Sequence, residues 1–256
     1  MIRERVIECQ TAEEVVDFAD KKTDSSEYPP CLLDQKEVEH ILFMMGVLWQ
    51  YKGEPAKEKP HALITSGKHS DGYIDLGMLC KNFPEVRLMF AYNLAWAARV
   101  RIKINWKYAW VVGADTSSTA LARDVANILG AKHIKMVKIT HNSGEKKQWC
   151  EIAPPEDYSQ LGLQIEDVIN TGLSARQVRE GIRNVFPNAG FLPIMPVIVN
   201  RSDPNSPVKA IGDSIIISLL RLEMRNYGLE ECPYCRVGSE AIVPKEGDNW
   251  KRLTEV

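Results

Sequence analysis

The chain has 256 residues, 45% of them hydrophobic and 26% charged, and a formal net charge of −2. That length can bury a full α/β core, and the near-neutral charge argues against nucleic acid as a partner. No apolar run is long enough to span a bilayer, the N-terminal MIRERVIECQ lacks the apolar core of a signal peptide, and six cysteines in a chain this long do not suggest a disulfide scaffold, so a cytoplasmic protein is expected.

Thr11 and Glu14 have the spacing of a capping box opening a short helix with Val15, Val16, Phe18 and Ala19 inside it. The polar stretch 21–30 ends in a proline pair and reads as a linker. Asp34 and Glu37 form a second box, and Val38, Ile41, Leu42, Met45, Leu48 and Trp49 predict one helix ending near Gly53. Residues 60–75, PHALITSGKHSDGYID, read as a β-hairpin with a polar tip: a strand from Ala62 to Thr65, a turn at Ser66, Gly67 and Lys68, then extended chain from Tyr73 to Asp75. Pro84 and Glu85 start a helix that runs to about Arg99. A strand from Tyr108 to Val112 meets Gly113, a hydroxyl-rich turn (Thr116, Ser117, Ser118, Thr119) follows, and a helix then stops at Gly130. Taken alone, that turn reads as a Ser/Thr helix cap.

Ile134 to Ile139 is another expected strand. The polar stretch of about twenty residues after it is long enough to be functional or disordered, and it carries Lys146 and Lys147, which also suit a solvated hairpin tip. Leu163 to Ile165 is a short buried strand, with Glu166 and Asp167 at its end. Asn170, Thr171 and Gly172 turn the chain, and Val178, Ile182 and Val185 mark one face of a helix from Leu173 to Phe186. A turn feeding a helix start presents free amides and the positive end of the helix dipole, which together bind phosphate. Two carboxylates beside such a cradle repel phosphate, so they suit sugar hydroxyls or a bound metal. Strands follow at 195–200, ending in Arg201, and at 214–219, with a helix expected over 220–227. Cys232-Pro-Tyr-Cys235 has the spacing of half a zinc site, with no second pair in the sequence to complete it.

The run IEDVINTGLSA resembles the phosphoribosyl diphosphate (PRPP) signature of the type I phosphoribosyltransferases. The segment TSGKHSDGY and the CPYC tail are similar to those of the orotate branch of that family, a bacterial subgroup of which carries a CPxC tail. The resemblance spans roughly residues 38–245. It implies an α/β fold with a mostly parallel sheet, helices on both faces and an N-terminal hood. Residues 1–33 would be an extension, 34–227 the phosphoribosyltransferase-like domain with the hood at 60–75, and 228–256 a tail packed on that domain.

The resemblance also implies a reaction: transfer of ribose 5-phosphate from PRPP to orotate, with magnesium held mainly by PRPP. Glu166 and Asp167 would hold the ribose hydroxyls, and Asp167, Glu166 and Lys138 would form the catalytic set. Thr171, Gly172, Leu173, Ser174 and Ala175 would hold the 5-phosphate. Thr116, Ser117, Lys138, Lys146 and Lys147 would face the diphosphate, and Thr65, Lys68, Tyr73, Asn170 and Arg201 the base. A homodimer with a lid at 140–160 shared between subunits is implied too. Asn170 stands where the orotate branch usually has Thr, and the diphosphate turn and lid depart from the usual patterns. A transferase for another nucleobase and a non-catalytic PRPP-binding regulator are the alternatives.

Overall fold

The two predicted caps open the first helices. Thr11 accepts from the Glu14 amide at the start of α1 (Ala12–Thr23), and Asp34 and Glu37 cap each other's backbone reciprocally at α2 (Gln35–Met44). The structure, a computed structural model, describes residues 5–24, 31–64, 66–115, 118–140, 146–150 and 161–255.

The helix expected to reach Gly53 ends early. Gly46 takes a φ of +64°, a conformation that suits glycine, and the chain leaves α2 as strand β1 (Leu48–Gln50). After β2 (His61–Leu63) and β3 (His69–Ser70), β4 (Gly72–Ile74) pairs antiparallel with β1, placing Trp49 opposite Tyr73. Asp75 then caps α3 (Leu76–Asn82), a helix the sequence reading missed, and α4 (Pro84–Arg101) begins with its proline in the first turn.

From here strands and helices alternate. β5 (Trp110–Gly113) leads into α5 (Thr119–Leu129), which stops at Gly130 with φ +71°. β6 (Lys132–Ile134) follows, then the antiparallel pair β7 (Met136–Thr140) and β8 (Lys146–Cys150). β9 (Leu161–Ile169), α6 (Leu173–Val185), β10 (Gly190–Phe191), β11 (Ile194–Asn200), β12 (Ala210–Ile211) and β13 (Ser214–Arg221) complete the α/β part. The helix expected over 220–227 is absent. β13 runs on beside β11 to Arg221, and Asn226 and Tyr227 form β14, which pairs with β3. α7 (Pro233–Arg236), β15 (Ala241–Ile242) and α8 (Asn249–Thr254) make the tail.

Among the described residues the main sheet has the order β12-β13-β11-β9-β5-β6, with β10 beside β9. Its pairings are parallel except that of β12 with β13. α4 and α5 cover one face, backed by α1 and α2, and α6 covers the other. Val6, Val15, Phe18 and Ala19 belong to the same buried cluster as α4 and the central strands, so residues 5–24 share that core. The short strands β14-β3-β2-β15 form a second sheet that joins the hairpin to the tail.

The connections leave the centre in opposite directions. β5 passes through α5 outward to β6, whereas β9 passes through α6 toward β11 and β13. The switch point lies between β5 and β9, and ligands of open α/β sheets bind beyond the carboxyl ends of the strands there.

Candidate active site

β9 is longer than the sequence implied, so Glu166 and Asp167 lie within the strand and not at its end. Their position is still terminal in another sense. β5 pairs with β9 only as far as Gly113 opposite Ile165, while β11 continues beside Glu166 and Val168. The acidic pair therefore stands just past the end of β5, in the crevice that the switch point opens.

A buried hydrogen-bond chain sets the two carboxyl groups. Arg179 Nε of α6 donates to Gln164 Oε1 at 2.8 Å, and Gln164 Nε2 donates to Glu166 Oε1 at 3.1 Å and to the Ala175 carbonyl at 3.0 Å. Ser118 Oγ lies 2.9 Å from Glu166 Oε2 and 3.0 Å from Asp167 Oδ1, and it accepts from the Asp167 amide at 3.1 Å. Gly113 allows this approach, because a Cβ there would sit 2.7 Å from the Ser118 carbonyl oxygen. Burial, and then the neighbouring Asp167 carboxylate, push the Glu166 carboxyl up to about 8. With Glu166 protonated the network is complete: Glu166 donates to Ser118, and Ser118 passes its one hydrogen to Asp167.

The turn after β9 forms the next wall. Gly172 takes φ +73°, and a Cβ there would lie 2.6 Å from Ile211 Cδ1, so the turn is closed to larger residues. Arg176 Nη2 donates to the Thr171 carbonyl at 2.6 Å and steadies the turn. The amides of the first turn of α6 have no intrahelical acceptor, and they meet the positive end of the helix dipole.

Strand β11 delivers Arg201, whose amide donates to the Ile169 carbonyl at 2.8 Å. The guanidinium is buried, lies 5.7 Å from the Tyr73 ring centroid, and forms no ion pair among the described residues. A buried cation that keeps its charge without a carboxylate partner is suited to an incoming anion.

One cavity of ≈ 440 Å³ gathers these groups. Its lining includes Tyr73, Lys138, Glu166, Asp167, Asn170, the whole run from Thr171 to Ala175, and Arg201. Lys68 is exposed and outside the lining. Lys146 and Lys147 have their backbone in β8, paired with Thr140 and Ile139. Thr65, Thr116 and Ser117, together with 141–145 and 151–160 of the expected lid, lie outside the described residues. The sequence reading missed Asp75, Asp115 and Lys245, which also line the cavity; Lys245 Nζ is 2.9 Å from Asp75 Oδ1. It gave Gln164 and Arg179 no role. Their signal was a polar residue in an apolar strand and an arginine on the inner face of α6. Another cavity, of ≈ 550 Å³, lies among α2, β1 and α8 at His40, Phe43 and Trp49, but it has no paired carboxylates and no turn opening a helix. The chemistry belongs to the first.

A mostly parallel sheet with its switch point at an acidic pair, followed by a helix-opening turn, fits the α/β arrangement that the resemblance of IEDVINTGLSA to the type I phosphoribosyltransferases implied. The chain is similar over most of its length to curated orotate phosphoribosyltransferases. It is 28% identical to that of Caldanaerobacter subterraneus over 186 residues, which cover 73% of this chain and 88% of the relative. It is 27% identical to that of a Thermoanaerobacter species over 212 residues, 83% of this chain and 97% of the relative. The crystal structure of orotate phosphoribosyltransferase from Aeropyrum pernix matches with a TM-score of 0.46 and 19% identity, covering 64% of this chain and 86% of that one. No protein-family model matches the chain. Among the described residues no helix is long and apolar enough to cross a membrane.

Proposed function

We propose that the chain is an orotate phosphoribosyltransferase of pyrimidine biosynthesis: it transfers ribose 5-phosphate from PRPP to a ring nitrogen of orotate, yielding orotidine 5-monophosphate and diphosphate. The carbon–nitrogen bond forms at the anomeric carbon, the bond from that carbon to the diphosphate oxygen breaks, and the ring nitrogen gives up its proton. The observation that carries this reading is the convergence of the acidic pair, the helix-opening turn and buried Arg201 in one cavity. Each suits one part of the reactants.

The turn from Thr171 to Ala175 takes the 5-phosphate on amides and hydroxyls. Asp167, with Glu166 behind it, takes the ribose 2- and 3-hydroxyls. Its negative charge also steadies the cationic character that grows on the sugar as the diphosphate leaves. Arg201 takes the orotate carboxylate, because its planar fork matches two carboxylate oxygens, and Tyr73 and Asn170 border the ring. Thr65 and Lys68 are assigned to the same side by resemblance alone. Lys138, which lines the cavity, is assigned to the diphosphate by resemblance, with Thr116, Ser117, Lys146 and Lys147 assigned there on the same basis.

The carboxylates Asp115 and Asp167 in the lining suit a hard divalent cation. Magnesium, bound mainly to PRPP oxygens beside them, would neutralise charge on the leaving diphosphate. The protein's own part is to hold sugar, phosphate and base in line. A cytoplasmic homodimer, with the lid reaching the neighbouring subunit's site, completes the proposal.

The test is an assay of the purified protein with PRPP and magnesium against orotate, uracil, adenine, hypoxanthine and guanine in turn. Turnover with orotate alone is expected. Turnover with a purine or with uracil would move the assignment to another base, and no turnover with any base alongside retained PRPP binding would leave a regulator.

A further inference from the structure

Four potential metal ligands meet away from the active-site cavity. His61 and His69 come from the β2–β3 hairpin, and Cys232 and Cys235 flank the first turn of α7. One ligand atom from each lies within 4.8 Å of all the others. His61, His69 and Cys232 are buried and Cys235 is half-buried, and no carboxylate joins the group.

The distances fit a tetrahedron. His61 Nε2 is 3.5 Å from Cys232 Sγ and 3.6 Å from Cys235 Sγ, and His69 Nδ1 is 3.2 Å from Cys235 Sγ. Zinc bonds of about 2.3 Å to sulfur and about 2.0 Å to nitrogen place S and N about 3.5 Å apart at tetrahedral angles. The two ring nitrogens, 2.8 Å apart, need to open by about half an ångström to reach the same geometry.

The neighbouring hydrogen bonds fix the tautomer of His61. Ser239 Oγ donates its single hydrogen to the Lys59 carbonyl at 2.6 Å, so it must accept from His61 Nδ1 at 2.8 Å. Nδ1 therefore carries the ring proton, and the lone pair of Nε2 faces the two sulfurs. A metal-bound histidine is oriented in the same way, by a hydrogen bond from its other nitrogen. The Tyr234 ring stacks on His61 at 5.2 Å between centroids and fills the outer side.

We propose that His61, His69, Cys232 and Cys235 form a closed, structural Cys2His2 zinc site that clips the C-terminal tail to the hairpin. Two thiolates and two imidazoles in a closed tetrahedral set select zinc over magnesium or calcium, which prefer oxygen. The clip reinforces backbone pairing that already joins these segments, β15 to β2 and β14 to β3. Both clipped segments reach the cavity described above, the hairpin through Ile64 and Ser66 and the tail through Lys245. The ion would thereby hold the wall opposite the phosphate turn without touching a reactant.

The experiment is metal analysis of the full-length protein, purified without chelators, followed by exchange of the bound ion for cobalt(II). One equivalent of zinc per chain is expected, and the cobalt form should show the intense visible bands of a tetrahedral thiolate site. Cys232→Ser and His69→Gln should lose the zinc, while Cys31→Ser should keep it. If a variant fails to fold, the wild-type cobalt spectrum still decides the matter. Folded protein without metal, an octahedral cobalt spectrum, or a Cys232–Cys235 disulfide in the native protein would overturn the site. None of these readouts depends on phosphoribosyl transfer, so the site and the proposed reaction stand or fall separately.

Discussion

The two sides of the cavity are built in different ways. The side assigned to the phosphate in the proposed function is one continuous run of chain, from the acidic pair in β9 through the turn into α6. The side assigned to the base in the proposed function is assembled from the hairpin around Ser66, the β4 residue Tyr73, Arg201 after β11 and Lys245 of the tail. A run of adjacent residues holds its geometry through local backbone rules, such as the positive φ of Gly172 and the free amides of a helix start. An assembled wall has no such local guarantee. It depends on contacts between distant segments, and here it has acquired a second sheet and the four-ligand cluster to hold them together. Substitutions on the continuous side should thus strike chemistry with little effect on the fold, and those on the assembled side should strike recognition of one reactant.

The largest effect is expected at Asp167. Asp167→Asn keeps the size of the side chain and removes the negative charge beside the ribose. Loss of one preorganised electrostatic group typically costs a factor of about 100 or more in turnover, and kcat should fall by that order with the thermal unfolding temperature nearly unchanged. Steady-state kinetics beside a melting curve measure both. Wild-type turnover in this variant would remove the carboxylate from the chemistry.

Arg201→Ala probes the opposite side. Hydrogen bonds to a charged group contribute about 1.5–3 kcal/mol, so KM for orotate should rise about 10- to 100-fold. Affinity for PRPP should stay as it was, since the phosphate turn is untouched. Calorimetric titration of each ligand separates the two, and an equal loss for both would make Arg201 a residue that supports the fold.

The same contrast explains what was legible in the sequence. The strand, acidic pair, turn and helix were readable because their signals are adjacent and their periodicities distinct. Arg201 was singled out by the family resemblance, since an arginine at the end of an apolar strand is by itself ordinary. Lys245 and Asp75 were not, because their contact joins positions far apart in the chain. His61 and His69 were missed as partners of the CPYC pair for the same reason, together with the alternation of a hairpin that places them on one side. Two helices were misjudged where local apolar spacing competed with pairing at a distance. Leu48 and Trp49 fit the face of α2, but Gly46 ends that helix and β4 takes them as a strand. Residues 220–227 fit a helix, but β11 and β3 claim their backbone. The length of β9 escaped for a related reason. A strand covered on both faces hides carboxylates inside it only if a network satisfies them, and Gln164, Arg179 and Ser118 lie at separate positions in the chain.

The third effect is a slope in stability against pH, and it tests that network directly. The Glu166 carboxyl is held at about 8 against its ordinary 4.5, chiefly by burial and then by Asp167. Between about pH 5 and pH 8 the unfolded chain has therefore released this proton while the folded chain keeps it. Stability conferred by the network is full below the unfolded value and declines as pH rises toward the folded one, by at most about 1.4 kcal/mol per pH unit. Burial lowers the pKa of His133, which contributes a slope of opposite sign at the acidic end of that window, so the measurement must be a difference. Glu166→Gln supplies it. The amide places a donor near Ser118 Oγ and an oxygen toward Gln164 Nε2, reproducing the protonated acid without its titration. Unfolding free energies of the two proteins, measured by denaturant titration across the window, should diverge with rising pH, and the variant should become the more stable relative to wild type. Parallel profiles would mean that Glu166 is ionised at neutral pH. Ser118 would then share its one hydrogen between two charged carboxylates that also accept from the Val168 amide and from Gln164 Nε2.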